Sequence, residues 1–319
     1  MPLDADALLA SARRPLVVGI GGGGDVVGAL GVGELSRLYH GGEPVVGGVT
    51  WERRPIDPDP GPRHAAEIEG GEELGPGVLG ARPDTRVRAS GVVFGESHMA
   101  RFLGERTVLV DPHGGPARIA AGLAAAAVAL GADLIVFVDV GGDVLAHGDE
   151  PGLASPLCDS LLLAAAARLQ RAGHAVLGAV FGPGCDGELT SVEVAERVAE
   201  VAAAGGLAGA RGLTPPIADR LEAAIHSVPT EASAQAVRAF RGEFGRSEIR
   251  GGRRTVELTP AAAVTIFFDA DVAVRSAARL AAAVYDAESL EHGNELLNGL
   301  GVRTELDYER DAAREPGAR

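Results

Sequence analysis

Lysine is absent from this sequence, and all 29 of its basic residues are arginine. The chain therefore cannot form a Schiff base through a lysine amine, and it cannot contain the lysine-bearing phosphate loop of P-loop proteins. Acidic residues outnumber the arginines, since 44 aspartates and glutamates leave a net charge of −15. Such a chain would repel a phosphate backbone, so we expect no nucleic-acid partner.

Cysteine is also scarce, with only Cys158 and Cys185 in the chain. Two cysteines at this spacing form neither a disulfide framework nor a metal-finger pattern. Each lies near a predicted helix start, which would favour a thiolate. Neither has a histidine at a sequence spacing that indicates a catalytic pair. We interpret both as buried structural thiols rather than nucleophiles.

Long apolar runs are missing as well. No stretch reaches the length that crossing a bilayer requires, and residues 1–14 lack the basic start and apolar segment of a signal peptide. These features predict a cytoplasmic protein with no membrane partner. The sequence allows a homo-oligomer and does not decide the oligomeric state.

The 319 residues are 46% hydrophobic, which is ample for a buried core. Apolar strand-like runs alternate with helical patterns, which predicts a Rossmann-like three-layer α/β/α fold with a mainly parallel sheet. We expect one α/β domain over residues 1–319, with its core at about 15–205. A C-terminal helical and β-hairpin extension, at about 206–309, would pack on that core, followed by a flexible tail at 310–319.

The first strand predicted in this fold, residues 16–20, runs into a turn of four glycines. Gly19, Gly21 and Gly24 match the G-x-G-x-x-G spacing of dinucleotide-binding turns. At such a turn the backbone N–H groups can approach a phosphate at a helix N-terminus. The candidate groups for binding phosphate or ribose are Gly21, Gly22, Gly23 and Gly24. The alternative is a glycine-rich strand–helix turn without a ligand.

Two later apolar runs, residues 133–139 and 176–181, also end in glycine turns. The three turns carry Asp25, Asp143 and Asp186, and the carboxyl ends of parallel strands are where open sheets bind ligands. We therefore expect one polar pocket. Its catalytic candidates are Asp25, Asp143, Asp186 and Glu188. The alternative is that each acid only caps a helix or turn.

A carboxylate at the position of Asp25 repels phosphate unless a cation or a hydroxyl lies between them. This favours a divalent cation, Mg²⁺ or Ca²⁺, or a ribose whose hydroxyls the carboxylates accept. The run from Asp139 to Asp143 distantly resembles the aspartate clusters with which nucleoside hydrolases hold calcium and ribose, so these two residues are candidate metal ligands. Asp186 and Glu188 are close enough in sequence for one to act as a general acid or base.

Other residues are candidates for contacts with the substrate. Glu52 ends the second predicted strand, where a dinucleotide fold holds ribose hydroxyls, although an ordinary strand-end charge is an equal alternative. Three arginines around two glycines suit an anionic group. The full set of further binding candidates is Glu52, Gly141, Gly142, Ser155, Asp159, Gly184, Arg250, Arg253 and Arg254.

Six stretches together resemble the archaeal and actinobacterial family numbered 1152 among the domains of unknown function. They are residues 19–28, 48–53, 139–145, 155–159, 182–189 and 249–254. The resemblance extends over about residues 15–309. It implies an α/β fold and no particular activity, so the chemistry must be inferred from the residues.

From these residues we expect an enzyme acting on a small nucleotide or phosphorylated nucleoside. It would be a hydrolase or transferase, breaking a ribosyl (N-glycosidic) or phosphoryl bond through the carboxylates at the sheet edge. Two alternatives stay open. One is an NAD- or S-adenosylmethionine-dependent Rossmann enzyme with Glu52 on the ribose, and the other is a non-catalytic nucleotide sensor.

Overall fold

The computed structural model describes residues 3–314, with all their side chains except those of residues 39 and 40. Its strands in chain order are β1 (Pro15–Gly19), β2 (Val45–Val49), β3 (Ile68–Glu69), β4 (Glu72–Gly75), β5 (Val78–Ala81), β6 (Arg86–Val87), β7 (Thr107–Val110), β8 (Leu134–Val140), β9 (Val176–Phe181), β10 (Leu207–Gly212), β11 (Gly245–Ile249), β12 (Arg254–Leu258) and β13 (Val264–Phe268).

The α-helices lie between and after these strands. They are α1 (Ala5–Ser11), α2 (Val26–His40), α3 (Gly95–Leu103), α4 (Gly115–Leu130), α5 (Pro156–Arg171), α6 (Ser191–Ala203), α7 (Pro215–Ile225), α8 (Ala232–Phe240), α9 (Ala270–Ser276), α10 (Arg279–Ala283), α11 (Leu290–Gly299) and α12 (Glu305–Arg314). Within residues 3–314, no helix combines the length and apolarity needed to cross a membrane.

A nine-stranded sheet organises the chain, in the order β10-β13-β9-β8-β1-β2-β7-β5-β4. The central strands β9, β8, β1, β2 and β7 are parallel to their neighbours, whereas β13 and β5 pair antiparallel with the outer members of that group. This confirms the predicted mainly parallel sheet. The central order is the one in which a Rossmann fold arranges its first five strands, with a switch point between β1 and β8.

Both faces of the sheet are covered, because neighbouring residues of a strand point to opposite sides. Leu16 and Val18 of β1 pack in one buried cluster with α4, α5 and the C-terminal helices. Val17 packs in the other cluster, with α1, α2, α7 and α8. The predicted three-layer α/β/α arrangement is therefore confirmed. Cys158 and Cys185 are both buried, as expected.

The C-terminal portion contributes more than an added layer. A hairpin is present in this portion, formed by β11 and β12, but β10 and β13 join the main sheet beyond β9. Residues 310–314 are the end of helix α12, so this part of the predicted flexible tail is helical. Residues 315–319 lie outside the described part of the chain.

Candidate functional site

The three glycine turns lie at the carboxyl edge of the sheet, after β1, β8 and β9. The chain leaves β1 toward β2 and returns to β8 on the other side of β1. The connections therefore diverge between β1 and β8, and the carboxyl ends of these two strands form a switch point, where open sheets bind ligands. The acidic residues of all three turns converge near this switch point.

Six carboxylates form two groups here, which we call the Asp159 triad and the Asp186 triad. In each triad one oxygen from every member lies within 4.8 Å of the others. The Asp159 triad is Asp25, Asp139 and Asp159, and the Asp186 triad is Asp143, Asp186 and Glu188. The structure thus assigns the two predicted metal ligands, Asp139 and Asp143, to different triads.

Different elements hold the Asp159 triad. Asp139 lies near the end of β8 and accepts a 3.2 Å hydrogen bond from the Val144 N–H. Asp25 precedes α2, and its Oδ2 accepts a 2.9 Å hydrogen bond from the Gly21 N–H. Asp159 lies in the first turn of α5, where it is 2% exposed. Its buried Oδ1 has no hydrogen-bond partner.

In the Asp186 triad, Glu188 accepts more hydrogen bonds than the two aspartates. Glu188 Oε2 accepts hydrogen bonds from the Ala154 and Ser155 N–H groups at 2.7 and 2.8 Å, and its Oε1 accepts one from Ser155 Oγ at 2.5 Å. Asp186 Oδ1 accepts a 3.2 Å hydrogen bond from the Glu188 N–H. Asp143 differs, because its buried Oδ2 has no hydrogen-bond partner.

Burial and neighbouring carboxylates favour the protonated form of the five aspartates in the triads by raising their pKa values. Burial raises the pKa of Asp25 from about 3.8 to about 7. Burial, with the charge of Glu188, raises the pKa of Asp186 to about 7. The pKa values of Asp139, Asp143 and Asp159 are raised well above the ordinary range by burial and by neighbouring carboxylates. Ionising the cluster therefore requires compensating positive charge.

Two of the three predicted arginines lie beside the triads. Arg254 Nη1 lies 3.1 Å from Glu188 Oε1, and Arg250 Nη1 lies 3.8 Å from the same oxygen. Arg253 is exposed, and its Nε donates to the Arg250 carbonyl. The hairpin β11–β12 thus presents Arg250 and Arg254, but not Arg253, to this acidic centre.

Arg53 is a site residue that the sequence did not identify. Its Nη2 donates to the Gly21 carbonyl at 2.5 Å, and its guanidinium lies 4.3 Å from the Trp51 ring centroid. Arg53 also forms ion pairs with Glu305 and Glu309 of α12, at 3.4 and 3.5 Å. Arg53 therefore places a positive charge in contact with the first glycine turn.

Helix α12 closes this side of the site. Glu305 accepts hydrogen bonds from the Leu157 and Cys158 N–H groups, at 3.0 and 2.9 Å, and so caps the start of α5. Glu309 accepts from Trp51 Nε1 at 3.0 Å and from the Gly61 N–H at 2.7 Å. Because α5 carries Asp159, the last described helix helps to position the Asp159 triad.

The first glycine turn is largely occupied by contacts within the protein. The Gly21 N–H donates to Asp25, and the Gly23 N–H donates to the Trp51 carbonyl at 2.9 Å. A side chain at Gly24 would place its Cβ 2.2 Å from Thr230 Cβ. Two of the four predicted phosphate-binding amides are therefore directed at protein groups.

The other two turns are joined to each other. The Gly184 N–H donates to the Gly141 carbonyl at 2.6 Å. Gly141 has φ 128°, and a Cβ there would lie 2.2 Å from Asp186 Cγ. A Cβ at Gly142 would lie 2.5 Å from Val194 Cγ2 of α6. The glycines after β8 thus allow Asp186 to approach the end of that strand.

Glu52 belongs to neither triad. It is 4% exposed, and its Oε1 accepts a 2.5 Å hydrogen bond from the Gly95 N–H at the start of α3. Burial raises its pKa to about 7. The predicted contact of Glu52 with ribose would compete with this helix cap.

The fold and the site define a class of protein, a Rossmann-like α/β protein with a carboxylate cluster at the switch point of its sheet. The chain belongs to the family described as "Protein of unknown function (DUF1152)", whose model matches residues 16–313. No curated protein and no solved structure is significantly similar to the chain. Its function must therefore be argued from the site.

Proposed function

We propose that this protein is an enzyme that binds a divalent cation through the two triads and acts on a nucleotide or phosphorylated nucleoside. The reaction would be hydrolysis or transfer at a ribosyl (N-glycosidic) or phosphoryl bond. In this proposal the triads hold Mg²⁺ or Ca²⁺, and the adjacent arginines neutralise the anionic part of the substrate.

The observation that carries the proposal is the pair of unpartnered oxygens, Asp143 Oδ2 and Asp159 Oδ1. Leaving a buried polar group unsatisfied costs about 1–3 kcal/mol, and more for a charged group. Mg²⁺ and Ca²⁺ prefer carboxylate oxygens, and either would supply both the missing contacts and the missing positive charge. A cation is therefore the simplest ligand for this arrangement.

The nature of the substrate is argued from the position and the charges of the site. Crevices at switch points of such sheets bind nucleotides in many Rossmann-like proteins. Arg53 lies beside the first glycine turn, and Arg250 and Arg254 lie beside Glu188. Guanidinium groups on two sides of a cation site suit a phosphate or another anionic substituent.

The carboxylates also suit proton transfer. Asp25 and Asp186 each have a pKa raised to about 7 by burial, so each can exchange a proton near neutral pH. A bound cation would lower these pKa values, polarise a phosphoryl or ribosyl oxygen and activate water. We assign acid–base catalysis to Asp25 or Asp186 and cation binding to the remaining triad residues.

The geometry favours this proposal over an NAD- or S-adenosylmethionine-dependent enzyme. Such an enzyme would use the first glycine turn for phosphate or ribose and an acid at the end of β2 for ribose. In this chain the Gly21 and Gly23 amides and the Glu52 carboxylate are engaged by protein groups.

The proposal is tested by assaying nucleotides and phosphorylated nucleosides with Mg²⁺, Mn²⁺ or Ca²⁺, and again with EDTA. Asp143→Asn and Asp186→Asn should each lower turnover by roughly 100-fold or more, because asparagine keeps the shape but loses the charge and the basic oxygen. The matched control is Asp84→Asn, at an exposed loop position. Both site variants should keep the wild-type melting temperature within a few degrees.

Full turnover by either site variant, or turnover unaffected by EDTA, would contradict the mechanism. Binding of a nucleotide without turnover of any compound in the panel would instead identify a sensor.

A further inference from the structure

A second group of metal-ligating side chains lies on the same edge of the sheet, away from the switch point. Asp111 directly follows β7, which is separated from β1 by β2. His113 lies two residues further on, and His64 comes from the long connection after β2. The sequence shows the run from Asp111 to Gly115, but only the fold brings His64 to it.

The three side chains converge. One ligand atom from each of His64, Asp111 and His113 lies within 4.8 Å of the other two. His113 Nδ1 is 2.6 Å from Asp111 Oδ1, and His64 Nδ1 is 3.8 Å from Asp111 Oδ2. The two imidazole rings stack, with their centroids 3.5 Å apart. Both histidines therefore present a ring nitrogen to one carboxylate.

The backbone fixes this carboxylate in place. Asp111 Oδ1 accepts a 2.9 Å hydrogen bond from the His113 N–H, and Oδ2 accepts one of equal length from the Ala65 N–H. The same aspartate thus ties the His64 segment to the end of β7. Such hydrogen bonds orient a carboxylate ligand before a metal arrives.

A second cluster that contains a histidine already has an arginine beside it. Near His147, Asp149 and Glu150, the Arg197 Nη1 lies 2.7 Å from His147 Nε2 and also pairs with Glu200 at 2.7 Å. A guanidinium therefore already supplies the positive charge there. Within residues 3–314, Asp111 forms ion pairs with His64 and His113 but with no arginine.

We propose that His64, Asp111 and His113 form a binding site for a transition-metal ion of the Zn²⁺ type. Two imidazoles and one carboxylate are a common ligand set for zinc, and three protein ligands leave a fourth position for water or substrate. Imidazole nitrogen favours zinc-like ions over Mg²⁺ and Ca²⁺. The His64 side chain is 58% exposed, so the ion can enter from solvent.

This site is independent of the proposed function, because its ligands include nitrogen whereas the two triads offer only carboxylate oxygen. The test is calorimetric titration of the full chain with Zn²⁺, repeated with Co²⁺ while its visible absorption is recorded. We expect one Zn²⁺ to bind to each chain, and this binding should remain in Asp143→Asn. The visible absorption of bound Co²⁺ should show nitrogen ligation.

His64→Ala and His113→Ala should each weaken this zinc binding by roughly tenfold or more. The control is His174→Ala, because His174 is exposed and precedes β9 at the opposite edge of the sheet. Acidification should also weaken zinc binding, since protons compete for the imidazole nitrogens.

Equal zinc affinity in the wild type and both cluster variants would overturn the proposal. So would a cobalt spectrum that is identical in the wild type and in His113→Ala, a comparison that needs only a folded protein, as checked by circular dichroism. Neither result would bear on turnover at the triads, so the two proposals fail separately.

Discussion

The turns after β1 and β8 contain the same tripeptide, Gly-Gly-Asp, but they differ in what their aspartates contact. Asp25 accepts the Gly21 N–H and thereby closes its own turn. Asp143 is 5% exposed and has a buried oxygen without a partner. The aspartate after β1 thus accepts a hydrogen bond from its own turn, whereas the aspartate after β8 has an oxygen without a hydrogen-bond partner. In the proposed function it is therefore this unpaired oxygen, rather than the glycines, that argues for a ligand.

The largest expected effect comes from adding a methyl group in each turn. At Gly141 the backbone has φ 128° and the added Cβ would lie 2.2 Å from Asp186 Cγ. At Gly23, with φ 60°, the nearest atom would be Arg53 Cγ at 3.6 Å. Gly141→Ala should lower the free energy of unfolding by about 3 kcal/mol or more, and Gly23→Ala by about 1 kcal/mol. Urea denaturation measures both, and equal losses would show that the two turns are alike.

The next prediction compares the cation affinity of variants at the two aspartates. Asp143→Asn removes an oxygen that only a ligand can satisfy, so Mn²⁺ binding should weaken by roughly 100-fold. Asp25→Asn retains an acceptor for the Gly21 N–H and should weaken it by roughly tenfold. Calorimetry on metal-free protein provides the comparison. A larger loss in Asp25→Asn would assign the cation to the first turn instead.

A smaller effect is expected from pH. Because the pKa of Asp25 rises from about 3.8 to about 7 on folding, the folded state retains a proton that the unfolded chain releases. Stability of the metal-free protein should therefore fall as pH increases between these values. In EDTA the melting temperature should fall less steeply for Asp25→Asn than for the wild type. Saturating Ca²⁺ should also reduce the wild-type slope, since a bound cation keeps the carboxylates ionised. If the melting temperature depends on pH equally in the wild type and in Asp25→Asn, Asp25 is already ionised in the folded protein.

Local sequence patterns predicted the central sheet and most of the acidic centre. Apolar runs followed by glycine turns mark β1, β8 and β9, and parallel strands bring their ends together whatever the rest of the chain does. Asp25, Asp143, Asp186 and Glu188 could be found in this way. Their division into two triads could not be predicted in this way, because it depends on how closely Asp186 approaches Gly141.

The rest of the site depends on contacts between distant parts of the chain. No local pattern near Arg53 indicates that Glu305 and Glu309 will pair with it, and no pattern near Glu52 indicates that it will cap α3. The joining of β10 and β13 to the main sheet was missed for the same reason. Strand order at a sheet edge is set by packing over long sequence separations rather than by composition.

The contacts of α12 have a consequence for the kinetics of folding. They join Trp51 to Glu309 and Arg53 to Glu305, pairs separated by 258 and 252 residues along the chain. Contacts that close such long loops form late, since the entropy of loop closure must be met before they contribute. We therefore expect the α12 contacts beside the acidic centre to be absent from the transition state for folding. A bound cation would act mainly by lengthening the lifetime of the native state, with little effect on how fast the chain reaches it.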